Sequence, residues 1–329
     1  MSRLLRRLAH LLPTLLGLGL FVAAVEVLRL ELRTITWTEL SRDVLATPWP
    51  QLAAALALTA ANYVALAGYD LLAFRYAGTD LPAARIAGVA SIAYGVAHTV
   101  GFAMLSGASV RYRFYTRWGV TAEALSRIVF SYALTFWLGL LALGGLSLVL
   151  DPLPMPWIGA SPSMIAAVGW VLIGLVTATL VLTAVRREPL RVRRFTWPVP
   201  TTSQALQQLA VSMIDWALAG TVLYALLPPS DLSYFGLIGA YLIAVLAGMV
   251  SHVPGGLGVF EGLMVLLLAP HIDSRALIPA LIAYRAVYYL LPFVLALTAL
   301  AVDEIHQRRT HVVRAGRWIG RVFVRELGF

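Results

Sequence analysis

The chain has 329 residues, 60% of them hydrophobic and 12% charged, with a formal net charge of +9. A soluble domain of this size carries about a quarter charged residues, so a water-soluble globular fold is excluded and an all-α, polytopic membrane protein is expected. Every basic residue is arginine and cysteine is absent, which removes Schiff-base and Walker-type lysines, disulfides, thiol nucleophiles and thiolate metal sites.

The N-terminal MSRLLRRLAHLLPTLLGLGLFVAAVEVL has a basic start and a long apolar run without a small-residue cleavage site. It reads as a retained first span, 11–30. Further spans are predicted at 51–74, 127–150, 163–185, 205–227, 233–251 and 277–302, each near the ~20 residues that cross a ~30 Å hydrocarbon layer. Glu26 and Arg29 lie near the outer end of the first span, where they snorkel. Two apolar stretches, 86–110 and 255–270, are decided by the arginines.

Arg3, Arg6 and Arg7, the five arginines from Arg186 to Arg194 and the six from Arg308 to Arg325 mark cytoplasmic segments. DPLPMPWIGASP (151–162) and LPPSD (227–231) carry no basic residue and read as external. Arg75, Arg85, Arg111, Arg113, Arg117 and Arg127 are then internal, so 86–110 has cytoplasm at both ends and is expected to be a re-entrant hairpin. By the same parity 255–270 must cross, although it reaches only about 24 Å. The expectation is about eight spans plus one hairpin, with a membrane domain over 1–303 and a basic cytoplasmic tail over 304–329. Both termini are expected inside a bacterial inner membrane.

AHTVGFAMLSG (97–107) and SHVPGGLGVFEG (251–262) each place a histidine three residues before a glycine that opens a new helix. The helices leading into them, QLAAALALTAANYVALAGYD and QALQQLAVSMIDWALAG, both begin with glutamine and carry a late aspartate. They enter from opposite sides by the arginine count, the pattern of an inverted repeat with its site at the repeat interface.

Ionisable groups at membrane depth face a cavity or a partner, because stranding one in lipid costs at least about 2.5 kcal/mol. The candidates are Asp70, Asp215, Glu261 and Arg285, with His98 and His252 at the breaks. Plainer readings stand beside each of them: Asp70 paired with Arg75, Asp215 in a structural interhelical hydrogen bond, the histidines as caps, and Glu261–Arg285 as a fixed ion pair. The functional reading rests on Pro254, Gly255 and Gly256, which end one helix and free the backbone. The next helix then points unpaired N–H groups and its positive dipole end into the membrane, a seat for an anion. Arg285 supplies a bidentate phosphate contact there, with Glu261 and His252 setting the charge state.

No HExxH, GxSxG, Rossmann or P-loop fingerprint occurs, and the six histidines have no metal-ligand spacing. No cofactor, metal or catalytic residue is therefore expected. VRYRFYTRWG (110–119) mixes arginine with aromatics as a nucleic-acid surface does, but beside apolar spans it reads as an interfacial belt contacting anionic lipid.

NYVALAGYDLLAFRYAG, HTVGFAMLSGASVRYRFY, SHVPGGLGVFEG and AYRAVYYLLPF resemble the integral-membrane flippase domain of bacterial lysylphosphatidylglycerol synthases and its stand-alone membrane relatives, over approximately residues 50 to 302. The resemblance implies an inner-membrane bundle that moves aminoacylated phosphatidylglycerol to the outer leaflet and raises resistance to cationic peptides. It carries over Asp70, His98, Arg111, Arg113, His252, Gly255, Gly256, Glu261 and Arg285, each inside a matching motif. The soluble domain that charges the lipid in the full-length synthases is not expected in this chain, and neither is lipid synthesis. Anionic or aminoacylated phospholipids are the expected partners, together with a separate soluble synthase and a second copy of the chain. Two rivals to transport stay open: a membrane enzyme acting on a lipid-linked phosphate or sugar with Asp215 or Glu261 as base, and a scaffold for that synthase.

Overall fold

The computed structural model describes residues 26, 37–100, 103–153, 155, 159–186, 188–192, 195–197 and 199–307. The expected span 11–30 apart from Glu26, the arginines at 3, 6 and 7, and the tail from residue 308 lie outside the described residues.

The chain is a polytopic helical membrane protein. A short polar helix, α1 (Trp37–Leu45), precedes α2 (Trp49–Ala77), α3 (Ala83–Val100) and α4 (Ala103–Tyr115). Next come a single 3₁₀ turn (Thr116–Trp118), α5 (Ala122–Leu150) and α6 (Pro162–Val185). After a loop come α7 (Thr202–Leu226), α8 (Tyr234–Ser251), a 3₁₀ turn (Pro254–Gly256) and α9 (Val259–Leu268). The last helix, α10, runs over Ser274–Gln307 and widens to a π-helical segment at Arg285–Leu290. Six of these helices are long and apolar enough to cross a membrane: α2, α5, α6, α7, α8 and α10. A small antiparallel hairpin lies in the arginine-rich loop, β1 (Leu190–Val192) with β2 (Phe195–Trp197).

Polar residues punctuate the apolar runs. Thr121, Ser161, Thr201 and Ser233 each accept a backbone N–H of the first turn that follows, which satisfies donors that a helix start leaves orphaned. Gly78 ends α2 at φ 66°, the left-handed conformation that suits glycine. The inner layer is built from α2, α5 and α7, in mutual contact. The packing is close enough that a Cβ on Gly139 of α5 would overlap Ser212 of α7. By contrast, α6 buries only Ile165, Gly169 and Val176. A helix that is apolar all round and exposed faces lipid.

Contacts at the two ends of the bundle fix how the shorter helices run. At one end, Ser233 donates to Asp151, and His271 Nδ1 lies 3.2 Å from Asp231. The start of α8 and the end of α9 are therefore neighbours. At the other end Arg113 and Arg117 reach Asp303, and the Tyr115 hydroxyl lies 3.5 Å from the Ile86 carbonyl. The start of α3 and the end of α4 meet there. Two helical hairpins thus open at opposite ends of the bundle.

Their tips meet inside it. A Cβ on Gly255 would lie 3.3 Å from the Thr99 carbonyl oxygen and 3.4 Å from that of His98. The turn holding Gly255 is also bonded to Arg285, about 16 Å along α10 from its start and about 27 Å from Asp303 at 1.5 Å per residue. This corrects the expectation that 255–270 crosses. The helix α9 has 10 residues, about 15 Å, and returns to the end from which α8 entered.

Element order repeats as well. A 29-residue helix, an 18-residue helix, a break, a short helix and a long one (α2 to α5) are followed, after α6, by 25 residues, 18 residues, a break, 10 residues and a long helix (α7 to α10).

Because the native chain has no cysteine, single cysteines report accessibility cleanly. Cysteines at Ser230 and Arg275 are expected to react with an impermeant maleimide from one face of the membrane, and those at Asp80 and Glu123 from the other. Labelling of Ser230 and Arg275 from opposite faces contradicts the α8–α9 hairpin.

Candidate functional site

Three polar clusters occupy the helical core. The first pins the root of the α3–α4 hairpin. Arg111 Nε and Nη2 donate to Asp70 Oδ1 and Oδ2, both at 2.7 Å, and the Tyr115 hydroxyl donates to Oδ1 at 3.2 Å. The guanidinium lies between the rings of Tyr94 and Tyr132, 4.6 and 4.4 Å from their centroids. Asp70 is 0% exposed and Arg111 1%. A planar fork matched to a carboxylate and held between two aromatic faces uses what distinguishes arginine from lysine. Asp70 thus pairs with Arg111, not with the neighbouring Arg75. Arg111 leaves the interfacial belt to which VRYRFYTRWG was assigned, while Arg113 stays at the rim, 2.6 Å from Glu304.

The second cluster joins α2, α7 and α10. Asp215 accepts from Asn62 Nδ2 and from the Tyr69 hydroxyl, both at 2.7 Å, and the Tyr288 hydroxyl donates to Asn62 Oδ1 at 3.0 Å. All four residues are buried.

The third cluster is the break itself. His252 ends α8 at φ 57°, and Gly255, Gly256 and Gly258 follow at φ 59°, 62° and 79°. Four left-handed residues within seven positions make a tight reversal that side chains resist. A Cβ on Gly256 would meet Gly248 Cα of α8 at 3.1 Å, so the second glycine also serves close approach. Arg285 reaches across with Nε on Glu261 Oε1 and Nη1 on the Gly255 carbonyl, both at 2.5 Å. The Gly256 carbonyl is 3.5 Å from Nη2. Glu261, three residues into α9, turns its other oxygen back to the Gly258 N–H at 2.7 Å, the return half of a capping box. Tyr289 and Phe260 flank the guanidinium at 4.4 and 5.1 Å. In this conformation the acceptor at the head of α9 is the protein's own Glu261. Arg285 holds the turn closed.

His98 stands where the two hairpin tips touch. Its ring stacks on Tyr288 at 5.8 Å and packs against Tyr63, Tyr94 and Tyr289. Its Nδ1 is buried without a hydrogen-bond partner among the described residues. His252, its counterpart in sequence, is exposed, with Nδ1 2.7 Å from the Val250 carbonyl. The structure therefore gathers His98, Gly255, Gly256, Glu261 and Arg285 at one place. Asp215 connects to it through Asn62 and Tyr288, Asp70–Arg111 lies at the hairpin root, and Arg113 and His252 face outward. Among the described residues no acidic, histidine or cysteine cluster has the makings of a metal site.

Sequence reasoning missed Asn62, Tyr69, Tyr115 and Tyr288. An asparagine in mid-span was a usable signal, since amides at that depth bond across helices. The tyrosines carried none, because the same residues form interfacial belts.

Residues 14–296 match the family described as the lysylphosphatidylglycerol synthase transmembrane region, and the chain belongs to that family. It is 35% identical to the uncharacterized protein slr0712 of Synechocystis sp., over 92% of this chain and 95% of that one. It is 29% identical to the inner membrane protein YbhN of Escherichia coli, over 88% of this chain and 91% of that one. A phosphatidylglycerol lysyltransferase of Staphylococcus haemolyticus is 27% identical over 90% of this chain, which spans 34% of that enzyme.

The buried pair at the hairpin root yields a stability test. Arg111→Met strands the Asp70 carboxylate and is expected to cost about 3–5 kcal/mol, whereas Asp70→Leu with Arg111→Met recovers most of the loss. Thermal unfolding of the purified protein in detergent reads both.

Proposed function

We propose that this member of the family moves an anionic or aminoacylated phospholipid of the phosphatidylglycerol type between the leaflets of a bacterial inner membrane, with both termini on the cytoplasmic side. The observation that carries the reading is the contact between two hairpin tips inside the bundle, closed by Arg285 on the carbonyls of Gly255 and Gly256 and on Glu261. A headgroup crossing an apolar layer needs a polar seat at depth, because a bare charge there is very costly. Arginine is suited to that seat, since its fork donates to phosphate as it donates to carboxylate. The side chains of Arg285 and Glu261 are 15% and 14% exposed, unlike the sealed Asp70–Arg111 pair, so this ion pair is within reach of an incoming group.

In the proposed cycle the lipid phosphate displaces Glu261 from Arg285. The turn at 252–258 is then released from its tether, and the hairpin tips part to let the headgroup pass. Glu261 closes the site again when the lipid leaves. The names of the lysyltransferase relatives support phosphatidylglycerol as the lipid core. Lysyl transfer itself is not part of the proposal.

The test is transfer of fluorescent phosphatidylglycerol between leaflets of liposomes that contain the purified protein, without nucleotide. Leucines at Gly255 and Gly256 would fill the space against the Thr99 carbonyl and Gly248 through which the headgroup is to pass. Gly255→Leu with Gly256→Leu is therefore expected to slow transfer roughly ten- to a hundredfold or more while the protein remains inserted. Transfer at the wild-type rate would refute the gate. Glu261→Gln with Arg285→Gln is expected to stay folded and lose transfer. Full activity in that double variant would make the pair purely structural.

A further inference from the structure

The three acids in the helical core are not equivalent. Asp70 is matched by Arg111 and Glu261 by Arg285. Asp215 forms no ion pair with any described residue. Its two oxygens take neutral donors, Asn62 on one and the Tyr69 hydroxyl on the other. The residue is 5% exposed, and the titratable groups around it include the phenols of Tyr63 and Tyr69 on α2, Tyr94 on α3, Tyr241 on α8 and Tyr288 on α10, with His98 of α3 packed against three of these rings. Phenols carry no charge near neutral pH. Arg111 is already committed to Asp70 and Arg285 to Glu261. A carboxylate sealed in an apolar interior without a cation takes up a proton rather than remain charged.

The surroundings also give such a proton a place and a route. Asn62 is not free to turn over, because its Oδ1 accepts from Tyr288 while Nδ2 donates to both the carboxylate and the backbone carbonyl of Asp215. The amide therefore always offers Asp215 a donor. The acceptor that a protonated carboxyl needs lies elsewhere. Ser212, one turn earlier on α7, is 0% exposed, and its Oγ interacts with the Tyr69 hydroxyl without closing a hydrogen bond of ordinary geometry. One turn further back, Gln208 donates to Ser131 at 3.0 Å and leaves its Oε1 unpartnered. Gln208, Ser212 and Asp215 fall at i, i+4 and i+7, on one face of α7. Buried groups that lack protein partners are completed by water. That polar line leads from Asp215 toward the start of α7, the arginine-rich end of the molecule.

We propose that Asp215 is a proton-binding site, reached from the arginine-rich end along Gln208 and Ser212. It is wired through Asn62 and Tyr288 to the histidine at the hairpin tips. Loss or gain of the proton changes what Asn62 must balance, and Asn62 holds Tyr288, on which the His98 ring is stacked. Protonation at Asp215 is in this way transmitted to the place where the two hairpins touch. The proton site does not rest on lipid transport being the function. Coupling of the proton to lipid movement does.

Infrared difference spectroscopy of the full-length protein in phosphatidylethanolamine–phosphatidylglycerol vesicles, stepped between acidic and alkaline pH, tests the site directly. A protonated-carboxyl C=O band is expected to appear and vanish with pH in the wild type and to be lost in Asp215→Asn. Tyr69→Phe removes one donor from the carboxyl with little change in volume, and is expected to keep the band and move it to higher frequency. Ser212→Ala is expected to slow its hydrogen–deuterium exchange several-fold. A spectrum identical in the wild type and Asp215→Asn would sink the proposal, as would a pH-sensitive band that disappears in Glu261→Gln instead. Should Asp215→Asn fail to insert, an unmoved band in Tyr69→Phe is equally decisive against it. A band with these properties in protein that moves no lipid upholds the proton site and refutes transport. Lipid transfer with no such band does the reverse.

Discussion

A helix that stops inside a hydrocarbon layer leaves carbonyl and amide groups that no water can reach, and each such group costs several kcal/mol unless the protein answers it. Most of what is distinctive in this chain follows from answering one such stop. The end of α8 spends four left-handed residues on a reversal, and the carbonyls it exposes are taken up by a guanidinium from α10. The amide at the head of α9 is taken up by Glu261, whose second oxygen returns to the same guanidinium. Arginine is the one side chain with enough fixed donors to serve two carbonyls and a carboxylate together. The π-helical segment of α10 begins at Arg285, a local widening of the kind found where helices are bent to a task.

The two arginine–carboxylate pairs then divide the work by burial. Arg111 and Asp70 are sealed between tyrosine rings at a hairpin root, where removal of either partner strands a charge. Arg285 and Glu261 carry the same chemistry at a hairpin tip, where the pair is partly exposed and also bonded to the carbonyls of the turn. The surface pairs of Arg113 and Arg117 with Asp303 contribute little to stability. They nonetheless place the end of α4 beside the end of α10.

How much of this the sequence disclosed depended on the range of the interaction. Apolar run lengths located α2, α5, α6, α7, α8 and α10 to within a few residues, because span length is a property of one segment and the bilayer. Arginine parity gave the α3–α4 hairpin for the same reason. It misread 255–270, since a hairpin and a pair of crossings return the chain to the same side, and counting charges cannot measure depth. Glu261 and Arg285 were legible as a pair because they were unmatched charges in neighbouring apolar segments. Asp70 was not, because Arg75 lies five residues away and Arg111 forty-one, and only packing of α4 against α2 and α5 selects the distant partner. Asn62 and Tyr288 were hidden by ordinariness: their role exists only where three helices cross.

The repeated element order gives that crossing a further meaning. Asn62 stands at position 14 of α2 and Asp215 at position 14 of α7, and they bond to each other where the two leading helices of the repeats pack. In an inverted repeat, equivalent positions meet at the axis, so an amide and an acid face one another where a strictly symmetric pair would place two of a kind. Two aspartates there would repel and share one proton, and two asparagines would carry none. One of each yields a single titratable group with a fixed donor opposite. The histidines break the symmetry in the same sense, His98 packed inside and His252 outside. The repeated element order is in this way combined with polar side chains that differ between its two halves.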